Sequence, residues 1–220
     1  LPLIYKSGCR YISISPESGD KKVLEVIGQD KRINHKYLKI GTKFSGPCFP
    51  RDNKALSHYS KKKKINSIIP DKNDSINNIQ TKRLGKILVK LIKDKKNYNI
   101  GVCGLTYKEN TNLIKDSQGY DLLKFITKMK LRKNKINIFD NFLNENEVNK
   151  IDKKLNLISD QKEFFERSDI IFLMYNFKKM VFPNIKKNKK KYIIDCWRCI
   201  NKVPKNYIKI DLGIYSSFVF

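Results

Sequence analysis

Between residues 44 and 52 the chain reads Phe44-Ser45-Gly46-Pro47-Cys48-Phe49-Pro50-Arg51-Asp52, a crowding of unusual residue types around one thiol. Pro47 and Pro50 fix φ on either side of the cysteine, and Gly41 and Gly46 admit backbone geometry that other residues do not reach. Asp52 lies four residues on, an acid within helical reach of the thiol. Cysteine attacks as the thiolate, and a place just ahead of a helix N-terminus, in a chain of net charge +26, favours that form. The chemistry such a thiolate offers is covalent attack on a carbonyl carbon, which divides one difficult step into two easier ones. The same residues also suit a buried structural thiol, and both readings stand at this level.

The other chemical signals are weaker. Gly101-x-x-Gly104 follows an apolar run and would let backbone approach a ligand, but it is not the dinucleotide fingerprint G-x-G-x-x-G, which occurs nowhere in the chain. Tight-turn geometry explains it equally well. Cys196-x-x-Cys199 brackets Trp197-Arg198, too bulky a pair for a zinc knuckle, and no histidine lies near. We read both cysteines as structural. His35 and His58 have no acidic partner at useful spacing and are read as surface histidines.

The elements that must position these residues follow from periodicity. Residues 20 to 30 place Val23, Leu24, Val26 and Ile27 at helical spacing behind Asp20, ending near Gly28. A loop rich in Gly, Pro and Ser spans residues 39 to 52, and Asp52 is read as the start of the next helix, through Ala55, Leu56 and Tyr59. Residues 75 to 95 form a longer helix with Ile76, Ile79, Leu84, Leu88, Leu91 and Ile92 on one buried stripe. Beyond Asn97 short apolar runs (98–102, 136–139, a segment ending at Ile158, 170–173, 192–194) alternate with helical patterns at 120–129 and 163–167. The fold class is therefore α/β: a helical segment followed by a Rossmann-like, mostly parallel sheet with helices on both faces. The boundary is placed in Asp94-Lys95-Lys96-Asn97, giving regions 1–96 and 97–220. Ligands of such sheets bind beyond the carboxyl ends of the strands, here Gly104 to Lys108, Asp140, Tyr175 with Asn176, and Asp195 to Arg198.

Composition narrows the partners. With 40% hydrophobic and 11% aromatic residues the 220-residue chain can bury a core. Its positive charge is mostly lysine, and the runs at 61–64 and 186–191 carry no interleaved aromatics on which bases could stack. They read as solvated faces, and no nucleic-acid partner is expected. Five cysteines at positions 9, 48, 103, 196 and 199 form no dense framework, which fits a reducing, cytoplasmic location. No apolar run approaches the roughly 20 residues of a membrane span, and no membrane partner is expected.

Taken together, Asp30-x-Arg32-Ile33, Tyr37, the stretch from Gly41 to Asp52, Gly104-Leu105-Thr106-Tyr107-Lys108-Glu109-Asn110-Thr111-Asn112 and Asp195-Cys196-Trp197-Arg198 resemble the signature of the UDP-glucose/GDP-mannose dehydrogenase family. That resemblance implies a central helical region followed by a nucleotide-sugar (UDP)-binding domain. It implies a function too: NAD-dependent oxidation of a nucleotide-sugar 6-hydroxyl to a carboxylate, UDP-glucose to UDP-glucuronate, through a thiohemiacetal and a thioester on cysteine. By the same resemblance Cys48 is the nucleophile and Asp52 its partner in proton transfer or water activation. Arg32 would reach across a homodimer to the neighbouring sugar site, Tyr37 and Lys108 would bind substrate, and Phe44 and Gly46 would belong to the loop that lines it. Arg198 would contact bound nucleotide or the NAD cofactor.

Two departures from the family pattern are visible. Lys43 and Ser45 stand where the motif has glycine, so side chains are expected in a loop that normally lets backbone approach the sugar; Asn112 and Leu113 replace two acidic residues. The family's cofactor-binding domain and its oxyanion donors are expected upstream of Leu1, so that these 220 residues alone would not transfer hydride. The alternatives are an inactive nucleotide-sugar-binding remnant, or a dehydrogenase for another nucleotide sugar such as UDP-N-acetylmannosamine or GDP-mannose.

Overall fold

Pro50 decides where the first described helix begins. Proline fits the first helical turn, where its missing N–H is not needed and its fixed φ suits the helix. Helix α1 accordingly runs Phe49–Lys62 with Cys48 as its N-cap, three residues ahead of the start read from Asp52. Asp52 sits inside the first turn, where a carboxylate faces the positive end of the helix. The structure is a computed structural model and describes residues 41–93, 97–129, 135–175, 177, 180–183 and 190–212.

The second helix, α2, spans Ile68–Leu91. It starts earlier than the Ser75 expected from periodicity because Pro70 again occupies a first turn. It packs on α1 through Asn53, whose side-chain amide donates to the Pro70 carbonyl (2.8 Å) and to Asp74 (2.7 Å), and through Ser57, which bonds Asp71. The buried stripe differs from the expected one. Asn77, Leu84, Leu88 and Leu91 are buried, whereas Ile76 and Ile79 are 40% and 44% exposed. Spacings of seven, four and three keep the first set on one side of a helix with 3.6 residues per turn; Ile76 and Ile79 fall on the other side.

Beyond the helices six parallel strands form one sheet in the order β3-β2-β1-β4-β5-β6. They are β1 Ile100–Cys103, β2 Ile136–Phe139, β3 Leu155–Leu157, β4 Ile170–Leu173, β5 Lys191–Asp195 and β6 Tyr207–Asp211. Helix α3 (Gln118–Lys128) joins β1 to β2, α4 (Glu145–Asn149) joins β2 to β3, and α5 (Gln161–Arg167) joins β3 to β4. The register runs straight across the middle, Ile100 beside Ile136 and Ile170, and Ile170 beside Tyr192. Alternation along the strands splits the core in two. Ile100, Val102, Ile138, Ile170, Phe172 and Ile194 face α2, α3 and α4; Cys103, Phe139, Ile171, Leu173 and Ile193 face α5 through Phe164 and Phe165. The α/β class with helices on both faces is as the sequence indicated.

Three details were not foreseen. β1 starts at Ile100 rather than Tyr98, β6 carries only Tyr207, Ile208 and Ile210 as its apolar signal, and α4 is a five-residue polar helix closed by a capping box between Asn144 and Glu147. A fourth is a correction. Lys191, at the end of the lysine run read as solvated, is 1% exposed at the start of β5. Its ammonium donates to the carbonyls of Phe165 (2.6 Å), Glu166 (2.7 Å) and Ser168 (2.7 Å), filling acceptors that the end of α5 leaves open. No helix among the described residues is long and apolar enough to cross a membrane.

Candidate functional site

The strand order reverses between β1 and β4, and the carboxyl ends of the strands around that point carry the candidate site. After β1 the chain turns at Gly104, whose φ of +95° is open to glycine, with the Tyr175 ring packed against it. The amides of Leu105 (2.8 Å) and Thr106 (3.0 Å), and the Thr106 hydroxyl (3.0 Å), all donate to one carboxylate oxygen of Asp140 at the end of β2. Ser117 caps α3 by accepting from the Tyr120 amide and donates to the Leu105 carbonyl (2.6 Å). After β5, Asp195 gathers the amides of Trp197 (3.1 Å), Cys199 (3.2 Å) and Ile200 (2.9 Å). The Trp197 indole donates to the Met174 carbonyl (2.9 Å), which joins the ends of β4 and β5.

The cysteine loop lies on this surface. Gly41 approaches the Trp197 ring so closely that a Cβ would come within 2.7 Å of it. Gly46, buried at φ +90°, is pressed in the same way against Tyr107, and its amide reaches the Asp116 carbonyl at 3.4 Å. The Lys43 amide donates to Gln118 (3.3 Å), and its ammonium pairs with Asp121 in the first turn of α3. The Phe44 carbonyl accepts from Asn77 of α2 (3.0 Å). One short loop is thus held by α2, α3 and the ends of β1 and β5. The Lys43 side chain is directed to α3, where burial of its charge demands an acidic partner.

Cys48 emerges from the loop exposed, at the N-cap of α1. Arg51 donates to Asp52 (2.8 Å), and the Asp52 carboxylate, then the Cys48 sulfur, raise the affinity of its guanidinium for its proton. Asp52 is exposed with Arg51 as its partner. Phe44 is half-buried with its ring edge-on to Phe49, and Lys108 is exposed with its ammonium 5.2 Å from the centre of the Tyr107 ring. Arg198 adopts φ +49°, and its guanidinium donates twice to the Leu212 carbonyl (3.1 and 2.8 Å). His58 is exposed on α1. Arg32, Tyr37, His35 and Asn176 lie outside the described residues. The site therefore brings together Phe44, Gly46, Tyr107, Cys48, Arg51 and Asp52 along one stretch of loop and helix, and ties Arg198 to the far end of β6.

The other described thiols differ from Cys48. Burial pushes Cys103 and Cys196 well up, with the charge of Asp140 adding at Cys103 and that of Asp195 at Cys196. Cys199 is pushed up to about 11, by burial and then by the neighbouring Asp195 carboxylate. These three stay protonated near neutrality. No cluster of metal-ligating side chains occurs among the described residues.

The turn after β1 does not fit a dinucleotide. In a dinucleotide fold the amides of this turn face a pyrophosphate; here Asp140 fills them, and a Cβ on Gly119 would collide with the Gly104 carbonyl, so helix and turn are already in contact. Among the described residues this turn leaves the Leu105 and Thr106 amides no free place for a pyrophosphate.

Asp121, Asp140 and Trp197 are the residues whose roles the sequence concealed. Asp140 was named as a strand-end acid and Trp197 only within Asp195 to Arg198, Asp121 was not named at all, and the partners of all three lie in distant segments.

A parallel sheet of this order, with a cysteine loop pressed on its carboxyl ends, belongs to the doubly wound nucleotide-binding class. Within that class the assignment is specific. The model of the UDP-glucose/GDP-mannose dehydrogenase family UDP binding domain matches residues 101–202, and that of the family's central domain matches residues 19–79; the chain belongs to this family. It is 36% identical over 105 residues to a UDP-glucose 6-dehydrogenase of Rickettsia bellii, covering 47% of this chain and 24% of that protein. It is 31% identical over 113 residues to the UDP-glucose 6-dehydrogenase TuaD of Bacillus subtilis, covering 49% and 23%. The matched stretches thus span about a quarter of those relatives. Among solved structures, a UDP-glucose dehydrogenase from Pyrobaculum islandicum superposes with a TM-score of 0.68 at 18% identity over 81% of this chain and 40% of that one. A GDP-mannose dehydrogenase from Pseudomonas aeruginosa superposes at 0.60 and 18%, over 86% and 45%. At such identities the superpositions speak for the fold alone.

Proposed function

We propose that this chain supplies the cysteine loop and the nucleotide-sugar-binding sheet of a UDP-glucose 6-dehydrogenase-like enzyme, which oxidises the sugar 6-hydroxyl to a carboxylate. Residues 1–96 carry the loop, and residues 97–220 the sheet that takes the nucleotide. The observation that carries this reading is the contrast among thiols. Cys48 alone of the described cysteines is exposed, at the start of a helix in a loop seated where such sheets bind ligands.

Cys48 is the nucleophile. Its sulfur adds to the C6 aldehyde, a carbon–sulfur bond forms as the carbonyl π bond opens, and the oxygen takes up a proton. Arg51, three residues on, is held by its hydrogen bond to Asp52. Asp52, one residue further into the helix, is placed to pass that proton or to direct water at the later thioester. Lys108, in the turn after β1, contributes to substrate binding, with Tyr37 on the diphosphate and Arg32 reaching the sugar site across a homodimer. Phe44 and Gly46 line the sugar side of the loop. NAD is the expected hydride acceptor, held outside the turn that Asp140 fills. The preference for UDP-glucose over UDP-N-acetylmannosamine or GDP-mannose rests on the relatives' activities.

Calorimetry of the purified chain with UDP-glucose, coupled to peptide mapping of iodoacetamide labelling, tests the reading. UDP-glucose should bind, and the 6-aldehyde of the same nucleotide sugar should protect Cys48 from alkylation better than the alcohol does. Absence of both binding and protection would sink it.

A further inference from the structure

Lys43 is a buried lysine on the loop that presents Cys48. Its side chain is 6% exposed, and it pairs with Asp121, itself 21% exposed. An ammonium so deeply placed needs a charged or hydrogen-bonding partner to offset lost hydration. The pair is embedded in a wider set of contacts. Asp121 also accepts from Lys124 (2.6 Å), and Gln118, which accepts from the Lys43 amide, donates to Thr81 on α2 (3.1 Å). Two residues before Lys43, Gly41 rests on Trp197; three residues after it, Gly46 rests on Tyr107. The two ring contacts act by shape, and neutral hydrogen bonds from Lys43 N–H to Gln118, from Asn77 to the Phe44 carbonyl and from Gly46 N–H to the Asp116 carbonyl hold the loop beside them. The Lys43 pair adds the loop's one charged bond to α3 among the described contacts, and the family motif has glycine at this position, which could not make it.

We propose that Lys43 is a positioning residue: with Asp121 it clamps the cysteine loop onto the first turn of α3, and so fixes where Cys48 and the Gly46 backbone stand relative to bound nucleotide sugar. The part concerning nucleotide sugar rests on the proposed function; the clamp does not. Trp197 makes the two separable, because it is the chain's single tryptophan and lies directly beneath the loop.

The test uses the full chain with Lys43→Ala, Asp121→Asn and the conservative Lys43→Arg, reading Trp197 emission and UDP affinity well below the melting temperature. Lys43→Ala and Asp121→Asn should each move Trp197 emission to the red as water reaches the ring, and weaken UDP binding about fivefold, the scale of coupling between residues in direct contact. Lys43→Arg should restore both. Unchanged emission in both disrupting variants overturns the clamp, as does Lys43→Arg behaving like Lys43→Ala in both readouts. Red-shifted emission with unaltered affinity, in a wild-type chain that binds UDP, overturns the positioning role. Should the wild-type chain not bind UDP at all, the proposed function fails and emission alone decides the clamp. A merely structural lysine would lower the melting temperature without moving either readout.

Discussion

Replacing Lys191 by Met should destabilise the protein more than any other single lysine change in the sheet region. The ammonium donates to three carbonyls, those of Phe165, Glu166 and Ser168, at 2.6 to 2.7 Å, and the residue is 1% exposed. Hydrogen bonds from a charged donor contribute about 1.5–3 kcal/mol each, so three would sum to about 4–9 kcal/mol if burial of the charge were free. It is not free: an ion in the interior costs several kcal/mol in lost hydration, and Met removes that cost while keeping the aliphatic stem. The difference, with three helix-end carbonyls left short of donors at about 1–3 kcal/mol each, comes to about 3–5 kcal/mol. For a chain of this size each kcal/mol moves the midpoint by about 2–4 °C, so a fall on the order of 10 °C is expected in thermal melting. Lys190, exposed and adjacent, is the control, and Lys190→Met should stay within about 0.5 kcal/mol of wild type. A Lys191→Met protein melting within about 2 °C of wild type would show that water or a repacked α5 terminus satisfies those carbonyls as well as the ammonium does.

Two further outcomes follow from the same contacts. Burial works to raise the affinity of Asp121 for a proton, but hydrogen bonds from Lys124 and Lys43 and their charges outweigh it, and the net value is lowered. A lowered folded value means that the pair contributes fully above the unfolded carboxylate range, about 3.9, and is lost as pH falls through the folded value. Trp197 emission should therefore hold steady from neutrality to about pH 4.5 and shift only in more acid solution, whereas a shift between pH 5 and 7 would contradict the assignment. Asp140→Ala should cost about 2–4 kcal/mol in urea unfolding, because it orphans the buried Leu105 and Thr106 amides together, while the Thr106 hydroxyl keeps the Lys108 carbonyl (3.1 Å); a loss under about 1 kcal/mol would mean that the turn finds other acceptors.

The contrast between Cys48 and the two buried lysines shows which parts of this molecule were open to reading in its sequence. Every signal that marked Cys48 is local: two prolines, two glycines and an acid lie within a few residues of it, and they control backbone angles directly. The strands were nearly as legible: β1 and β4 are continuous apolar runs of the kind parallel strands need when both faces are covered, β2 is broken only by Asn137, and β5 holds Tyr192 to Ile194 between Lys191 and Asp195. β6 escaped notice because it is an edge strand with three of its five residues partly exposed, so its pattern is diluted. The register of α2 was misjudged for a related reason: Ile76 and Ile79 are apolar but face outward, and hydrophobicity alone does not say which of two stripes is covered.

Lys43 and Lys191 are two of 47 basic residues, and composition classes them with the rest. What separates them is decided elsewhere in the chain. For Lys191 it is the end of α5, which leaves three carbonyls directed at the first residue of β5; for Lys43 it is Asp121, brought to the cysteine loop by the packing of α3 against α2 and β1. In both cases the acceptors exist only once separated segments have met, so no local pattern could announce them. The consequence for the site is concrete. The sequence singles out Cys48 as the proposed nucleophile, but the loop that carries it meets a lysine–aspartate pair and a tryptophan ring that come together only in the folded chain.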